Sequence, residues 1–188
     1  MEVGCDGNAL HLLGDAGILD RWKVGLLCSV KCPGAIVVET YDLCQRLRAE
    51  GVTVVSGFHA PMEKECMRIL LCSPHPHVWC LARGLMQRLP DTLVDCQRAV
   101  EEGRLLLVSP FDASVKRITR EQARVRNALV AELAEVVVIP YAAPDSSMER
   151  LSRRLLAGGK AVFTVAAAAN AALLDAGARP LGDLVIVR

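Results

Sequence analysis

The sequence predicts an α/β protein with a doubly wound, mostly parallel sheet and helices on both faces. Apolar runs of strand length alternate with segments of helical period along the chain. Several of these runs are unbroken in Val, Leu and Ile, which is typical of parallel strands buried on both faces. Hydrophobic residues make up 52% of the 188 residues and aromatic residues only 4%. A core of Ala, Val and Leu suits helices packed on a sheet, so we expect a Rossmann-like fold.

Each predicted strand is a short apolar run bounded by turn residues. The predicted strands are residues 23–28, 52–55, 77–81, 104–108, 135–140, 160–165 and, at an edge of the sheet, 184–187. The predicted helices are residues 37–50, 61–71, 92–102, 120–134, 146–157 and 170–176. The alternation implies right-handed crossovers between parallel strands. The length fits one domain over residues 1–188, with residues 1–22 as a lead-in before the first strand.

The helix boundaries have local signals. Gly51 and Gly103 follow two of the predicted helices and are typical C-terminal stops. Pro61 stands at the start of another helix, where its missing N–H costs little. Thr119 and Gln122 have the spacing of a capping box, so we expect the fourth helix to begin at residue 120.

Charge and cysteine content limit the classes of function. The formal net charge is +1, which argues against capture of nucleic acid by the whole surface but not by a local patch. No apolar run reaches the roughly 18–20 residues of a membrane span, and the N-terminus lacks the layout of a signal peptide. We therefore expect a cytoplasmic protein with no membrane partner, whose eight cysteines are reduced thiols.

Residues 75–80, around the third predicted strand, could form a metal site instead of having only a structural role. His75, His77 and Cys80 are all possible ligands. No second ligand pair has matching spacing, so the sequence favours a structural role for these side chains. We expect neither a metal nor a cofactor.

The segment of residues 116–140 has the highest local density of positive charge. Within residues 116–126, five cations stand against one acid, Glu121; the cations are Lys116, Arg117, Arg120, Arg124 and Arg126. We expect Arg120, Arg124 and Asn127 to share one face of the helix, with Val125, Leu129 and Leu133 on the opposite face and Arg126 at the margin. Because the rest of the chain is nearly neutral, the segment predicts an anion, most simply phosphate, as ligand.

The loops after the strands supply the other candidate residues. In open α/β sheets, ligands bind beyond the carboxyl ends of the strands and beside helix N-termini. Small residues there allow backbone N–H groups to approach an anion, and cations add charge. With Arg124, Arg126 and Asn127, the predicted phosphate-binding residues are Ser29, Lys31, Ser56, Gly57, His59, Arg83, Gly84, Ser109, Ser146 and Ser147.

The sequence favours a binding protein over an enzyme. It contains neither GxGxxG nor GxxxxGK[ST], so the usual markers of dinucleotide and triphosphate binding are missing. The glycines of residues 4–7 precede every predicted strand and have the wrong context for a phosphate loop. No neighbouring base is visible that would activate Ser29 or Ser56 as a nucleophile.

Several of these segments together resemble the DNA-processing protein A family (DprA, also called Smf). Residues 7–13 read Gly-Asn-Ala-Leu-His-Leu-Leu, similar to the GN-x-x-LL of that family, and residues 54–57 match its Val-Ser-Gly strand end. Residues 103–109 resemble its G-x-L-x-S strand, residues 126–130 its RNR-x-I helix, and residues 170–178 its N-x-LI-x-x-GA segment. The order and spacing of the segments, from Gly7 to about Leu181, support the resemblance.

The chain also departs from the family pattern. The family's Gly-Ser-Arg after the first strand is here Cys-Ser-Val at residues 28–30, with Lys31 as the nearby cation. The third residue of RNR is Ala128. The resemblance implies a protein that binds single-stranded DNA and passes it to a recombinase during DNA uptake, with a homodimer as a possible form. Phe58 and Phe111 are the aromatics that we expect near the DNA surface.

Two other functions stay open at this point. One is a nucleotide-binding sensor or a nucleoside-monophosphate hydrolase of the related Rossmann-like families, in which Glu149 would be the catalytic carboxylate and Ser146 and Ser147 would cap a helix around a phosphate. The other is a structural role in an assembly, in which the apolar residues 161–174 would form a subunit face rather than core.

Overall fold

A computed structural model of the chain describes residues 3–5, 8–86 and 89–186. The strands are β1 (Val3–Cys5), β2 (Asn8–Leu13), β3 (Lys23–Leu26), β4 (Thr53–Ser56), β5 (His77–Cys80), β6 (Leu105–Ser109), β7 (Val136–Val138), β8 (Val162–Thr164) and β9 (Arg179–Pro180). The α-helices are α1 (Gly34–Ala49), α2 (Pro61–Leu71), α3 (Val94–Glu101), α4 (Arg120–Leu133), α5 (Ser147–Ala157) and α6 (Ala171–Asp175). Short 3-10 helices span Ala16–Asp20, Asp91–Leu93, Ala168–Asn170 and Leu181–Asp183.

The strands form a sheet in the order β1-β2-β6-β5-β4-β3-β7-β8-β9. From β6 to β9 every neighbouring pair is parallel, whereas β2 pairs antiparallel with β6 and with β1. After β3, the chain adds β4, β5 and β6 in turn on one side of it. The chain then returns across the sheet and adds β7 on the other side of β3. The direction of winding therefore reverses between β3 and β7, and the predicted doubly wound fold is confirmed.

Two hydrophobic cores lie on opposite faces of the sheet. Leu105 and Leu107 face the core covered by α1, α2 and α3, while Leu106 and Val108 face the core covered by α4, α5 and α6. All four side chains have no exposed surface. Strands buried on both faces explain the unbroken apolar runs in the sequence.

The predicted helix boundaries agree closely with the structure. Helix α2 begins at Pro61, and helix α4 begins after Thr119, whose hydroxyl accepts a hydrogen bond from the Gln122 N–H at 3.2 Å. The Gln122 side chain in turn accepts from the Thr119 N–H at 2.7 Å, so the capping box is complete. Gly51 and Gly103 have φ angles of +70° and +69°, the left-handed backbone that ends a helix most readily at glycine.

The description of residues 1–22 as a lead-in without strands was wrong. Val3–Cys5 and Asn8–Leu13 form an antiparallel hairpin, and β2 covers the edge of β6. Residues 8–13 lack the β-branched side chains that favour strands, so pairing with β6 and burial of Leu10 stabilise this strand instead. Gly4 and Cys5 lie in β1, whereas Asp6 and Gly7 lie outside the described residues.

The predicted final strand at residues 184–187 was also wrong over its described part. The edge strand is Arg179–Pro180, which pairs with β8. Pro180 then leads into the 3-10 helix Leu181–Asp183, and Leu184 is buried against the core under α1, α2 and α3 rather than paired in the sheet. Val187 lies outside the described residues.

The apolar stretch of residues 161–174 is only partly core. Val162, Phe163, Val165 and Leu173 are buried within this chain, whereas five alanines between residues 166 and 172 are exposed. A structural role in an assembly therefore stays a prediction. In residues 3–5, 8–86 and 89–186, no helix combines the length and the apolar character needed to cross a membrane.

Candidate functional site

The carboxyl ends of five neighbouring strands, β3 to β7, meet at one edge of the sheet. We call the loops that follow them the carboxyl rim: residues 27–33, 57–60, 81–86, 110–119 and 139–146. Ser29, Gly57 and Ser109 all lie at this edge, because they follow or end the parallel strands β3, β4 and β6. The structure thus brings together the loops that the sequence singles out.

At the centre of the rim, a buried arginine packs on a glycine. The Arg126 side chain comes from α4, is 6% exposed, and donates from Nη1 to the Gly57 carbonyl at 3.2 Å. Its Nε donates to Asn127 Oδ1 at 2.6 Å. A Cβ atom at position 57 would lie 2.1 Å from Arg126 Nη1. The Arg126 guanidinium therefore occupies the space that a side chain at position 57 would need, and it could keep this place only beside a glycine.

An aromatic side chain shares this contact. The Trp79 indole Nε1 donates to the same Gly57 carbonyl at 3.0 Å. Phe58 and Phe111 were predicted as the aromatics of the surface, but Phe58 is buried, with a φ angle of +44° that costs a bulky residue free energy. Trp79 replaces Phe58 as the accessible ring. The sequence did not identify Trp79 as a surface residue, because Trp79 lies within a predicted strand whose apolar side chains indicate burial in the core.

Glu63 organises the loops beneath this contact. Its carboxylate is buried and accepts from the N–H groups of Cys28 at 2.9 Å, His59 at 2.8 Å and Ala60 at 3.2 Å. It thereby joins the ends of β3 and β4 to the first turn of α2. Burial lowers the pKa of the Arg126 guanidinium, and the Glu63 charge opposes that effect. Sequence reasoning missed Glu63, although a glutamate in the first turn of a helix is a recognised capping signal.

The rim hydroxyls are engaged within the protein. Ser56 Oγ accepts from the Phe58 N–H at 3.1 Å, and Ser109 Oγ donates to the Arg83 carbonyl at 2.7 Å while accepting from the Phe111 N–H at 3.0 Å. Ser56 and Ser109 have no exposed surface. These serines shape the loops, and their predicted contact with phosphate stays a prediction.

Ser29 joins the two strands at which the winding reverses. Its N–H donates to the Tyr141 carbonyl at 3.0 Å, and its Oγ accepts from the Ala143 N–H at 2.9 Å. The Leu27 N–H also donates to the Val138 carbonyl at 3.1 Å. We call this junction, formed by residues 27–29 and 138–143, the closed seam. Lys31 follows it and is exposed.

A large hollow opens at the rim beside the seam. It has a volume of about 940 Å³ and extends from Gly57 past Trp79, between α2 and α3, to Arg104 at the start of β6. We call it the rim hollow. Among the described residues, one carboxylate, Asp95, lines it, together with the cationic side chains Lys64, Arg68, Arg83, Arg98, Arg104 and Arg126. Met67, Leu71, Met86 and Leu93 add apolar surface. The hollow is suited to an anion that also carries flat apolar groups.

Gly84 and His59 are also at the rim, in different roles. His59 is exposed and lines the hollow. Gly84 is buried, and a Cβ atom there would lie 2.2 Å from the Asp112 carbonyl oxygen. Gly84 therefore permits the close approach of residues 112–115, and its N–H donates to the Val115 carbonyl at 2.9 Å.

The predicted faces of α4 were partly wrong. Val125 is 39% exposed, whereas Arg126 is buried with Leu129 and Val130 on the inner side of the helix. The space above Gly57 accepts the Arg126 guanidinium, so Arg126 lies on the inner face of the helix. Arg124 consequently points away from the rim hollow and pairs with Glu121 at 3.2 Å. The basic segment is thus divided between two surfaces.

The residues at the start of α5 form a cap. Ser146 Oγ accepts from the Glu149 N–H at 3.1 Å, and Glu149 Oε2 accepts from the Asp145 N–H at 2.7 Å. Arg153 donates to Glu149 Oε1 at 3.0 Å. This hydrogen bond is the main cause of the lowered pKa of the Glu149 carboxyl. The carboxylate is engaged at both oxygens, which argues against the catalytic role that the hydrolase alternative requires. Ser147 is exposed in the first turn.

His77 and Cys80, two of the possible metal ligands, have the surroundings of core residues. His77 Nδ1 accepts from the Val54 N–H, Nε2 lies 3.3 Å from the Leu70 carbonyl oxygen, and burial lowers the pKa of the imidazole to about 4. Burial raises the pKa of the Cys80 thiol to about 12. In the described residues, no group of three or more His, Cys, Asp and Glu side chains is arranged to hold a metal.

Comparison with solved structures shows the same fold. DNA processing protein A from Helicobacter pylori, which binds single-stranded DNA, superposes with a TM-score of 0.76 at 20% identity, covering 92% of this chain and 81% of the other. The Streptococcus pneumoniae protein gives 0.79 at 19% identity over 94% of this chain, which spans only 64% of that longer chain. The Moco carrier protein of Chlamydomonas reinhardtii gives 0.55 at 15% identity, covering 85% and 88% of the two chains.

Sequence comparison identifies the family. No curated protein sequence matches the chain significantly. The model of the family described as DNA recombination-mediator protein A matches residues 5–181, which is nearly the whole chain and agrees with the resemblance that the sequence motifs show. The chain belongs to the DNA recombination-mediator protein A family.

Proposed function

We propose that this protein binds single-stranded DNA through its phosphate backbone at the rim hollow and the adjacent loops. The family membership and the DNA-binding H. pylori relative support this proposal. The observation that carries it is the lining of the hollow, in which six cationic side chains stand against one carboxylate, together with Trp79 and several thioether and leucine side chains. Two of the cations, Arg68 and Arg104, pair with glutamates outside the lining.

The two kinds of surface suit the two parts of a single strand. Arginine and lysine bind phosphate oxygens without reading sequence, and aromatic rings accept bases of any identity. Lys31, His59 and Arg83 are at least partly accessible at the rim and would bind successive phosphates. Arg126 is fixed by Gly57 and Asn127 and supplies a positive charge that does not have to be ordered on binding.

The cellular role follows from the same chemistry. A protein that holds a strand by its backbone leaves the base-pairing edges free for a recombinase, and we propose that this chain delivers DNA from uptake to such a partner. We also propose that it acts as a homodimer, which would extend the bound strand over two hollows. Sedimentation with and without a long oligonucleotide tests the dimer, and a sedimentation coefficient of a monomer in both conditions would contradict it.

The binding site is tested by removing two accessible cations of the rim. Fluorescence anisotropy of a labelled thymidine oligonucleotide of about 6 nucleotides measures affinity over a series of salt concentrations. We expect the double variant Lys31→Gln, Arg83→Gln to bind about tenfold more weakly, and the slope of log affinity against log salt to fall by about 1.4, since each phosphate contact contributes about 0.7.

The variant Arg21→Gln is the control. Arg21 is exposed and precedes β3, at the opposite edge of the sheet, so we expect its affinity and salt slope to equal those of the unmodified protein. Absence of binding by the unmodified protein at low salt would contradict the proposed function. Equal losses in the two variants would contradict the location of the site.

A further inference from the structure

A second cationic surface lies between α4 and α5. A groove of about 660 Å³ separates the two helices, and in the part of the chain that the structure describes four arginines and one carboxylate line it: Arg124 and Glu121 of α4, and Arg150, Arg153 and Arg154 of α5. Val125 and Ala128 add apolar surface. We call it the arginine groove. It shares no lining residue with the rim hollow, so it is a separate surface.

The arginines of the groove are only partly neutralised. Arg124 pairs with Glu121 at 3.2 Å and Arg153 with Glu149 at 3.0 Å. Arg150 donates to the Asp145 carbonyl, and within the described residues neither Arg150 nor Arg154 forms a salt bridge. Arg150 is three and four positions from the other two arginines of α5, so the like charges are neighbours on one helix face and repel each other. A bound anion would relieve that repulsion.

The groove begins at the edge where the proposed DNA site lies. Helix α5 starts at Ser147, directly after the rim residues 139–146 that the closed seam joins to β3. From Ser147 to Arg154 the helix rises about 10 Å, which is long enough for a strand to contact it with more than one phosphate. Ala123 of α4 lines the rim hollow and Arg124 lines the groove, so a strand that leaves the rim reaches the groove by passing the first turns of α4.

We propose that the arginine groove binds the phosphodiester backbone of the DNA strand after it leaves the rim. This inference rests on the proposed function. The planar guanidinium groups match phosphate oxygens in pairs, and the apolar surface of Val125 and Ala128 contacts the sugars. The groove accordingly contributes to the binding of long strands and not of short ones.

Oligonucleotide length separates the groove from the rim. We compare the unmodified protein with the double variant Arg150→Gln, Arg154→Gln, using labelled thymidine oligonucleotides of about 6 and about 20 nucleotides. For the longer one, we expect about tenfold weaker binding and a salt slope lower by about 1.4, which corresponds to two lost phosphate contacts. For the shorter one, we expect affinity within about twofold, because it occupies only the rim.

The double variant Arg21→Gln, Arg179→Gln is the matched control. Both of these arginines are exposed, neither lines the groove, and the same net charge is removed. Equal losses of affinity in the two double variants would overturn the proposal, because net charge alone would explain them. Unchanged binding of the longer oligonucleotide by the groove variant would also overturn it and leave the groove to an acidic protein partner.

Two further outcomes are distinguishable. If the unmodified protein binds neither oligonucleotide, the proposed function itself fails, and this inference fails with it. If the groove double variant does not fold, judged by its thermal unfolding, the single variant Arg154→Gln replaces it. We then expect the slope for the longer oligonucleotide to fall by about 0.7, and an unchanged slope would overturn the proposal.

Discussion

The closed seam and the Gly57 end of the rim hollow lie at the same edge of the sheet, but hydrogen bonds close the seam while the hollow stays open. At the seam, the Leu27 N–H donates to the Val138 carbonyl at the end of β7, and the Ser29 amide and hydroxyl bond to Tyr141 and Ala143, which follow β7. At the hollow, the Gly57 carbonyl is covered by Arg126 and Trp79, and a volume of about 940 Å³ stays open. Topology alone would place a ligand where the winding reverses, at the seam. In this chain, hydrogen bonds fill the position between β3 and β7, and the open cavity lies beside the ends of β4 and β5 instead.

The largest expected effect concerns Glu63, which connects the two regions. Replacing Glu63 with Ala leaves three N–H groups without their acceptor and the buried Arg126 charge without a counter-charge. We expect the free energy of unfolding to fall by about 4 kcal/mol, measured by urea unfolding. The control Glu65→Ala removes an exposed carboxylate of the same helix that pairs with Arg68, and we expect a change within about 0.5 kcal/mol. Similar losses in both variants would show that Glu63 does not join the regions.

The second prediction concerns pH and the wall of the hollow. His77 holds the C-terminal end of α2 to β4, and its pKa in the folded protein is about 4 compared with 6.5 in the ordinary environment. As the pH falls, the unfolded chain binds a proton at His77 at a higher pH than the folded protein does. The contribution of His77 to the free energy of unfolding is therefore fully present above about pH 6.5 and is lost as the pH decreases towards 4. We expect a loss of about 3 kcal/mol across this range, measured by urea unfolding at several pH values. In the variant His77→Gln, the free energy of unfolding should fall less between pH 6.5 and pH 4. A pH dependence as steep as that of the unmodified protein would show that His77 is not its cause.

The third prediction contrasts the two regions directly. Replacing Gly57 with Ala forces the Arg126 guanidinium from its position, so we expect about 2 kcal/mol lower stability and about tenfold weaker binding of single strands. Replacing Ser29 with Ala removes one hydrogen bond of the seam and should cost about 1 kcal/mol. We expect affinity within about twofold, because the Ser29 hydroxyl is buried and already accepts from the Ala143 N–H. A larger loss of affinity for Ser29→Ala than for Gly57→Ala, in the same anisotropy titration, would place the site at the seam.

The sequence predicted the periodic parts of the fold and the edge at which the candidate residues gather. Strands such as β6 and helices such as α2 have apolar runs and end signals that act locally. The hairpin of β1 and β2 was missed because its stability comes from pairing with a strand almost a hundred residues away. Arg126 was identified as unusual, but its burial depends on Gly57, which lies sixty-nine residues earlier. Contacts of this kind leave no periodic signal in the sequence.

The two tryptophans provide the most direct test of the rim hollow as the DNA site. Trp79 lines the hollow, whereas Trp22 immediately precedes β3 at the opposite edge of the sheet. In the variant Trp22→Phe, the fluorescence of Trp79 should change saturably as single-stranded DNA is added; in Trp79→Phe, the fluorescence of Trp22 should stay constant while anisotropy still reports binding. Binding that changes Trp22 and leaves Trp79 unaffected would contradict the location proposed for the site.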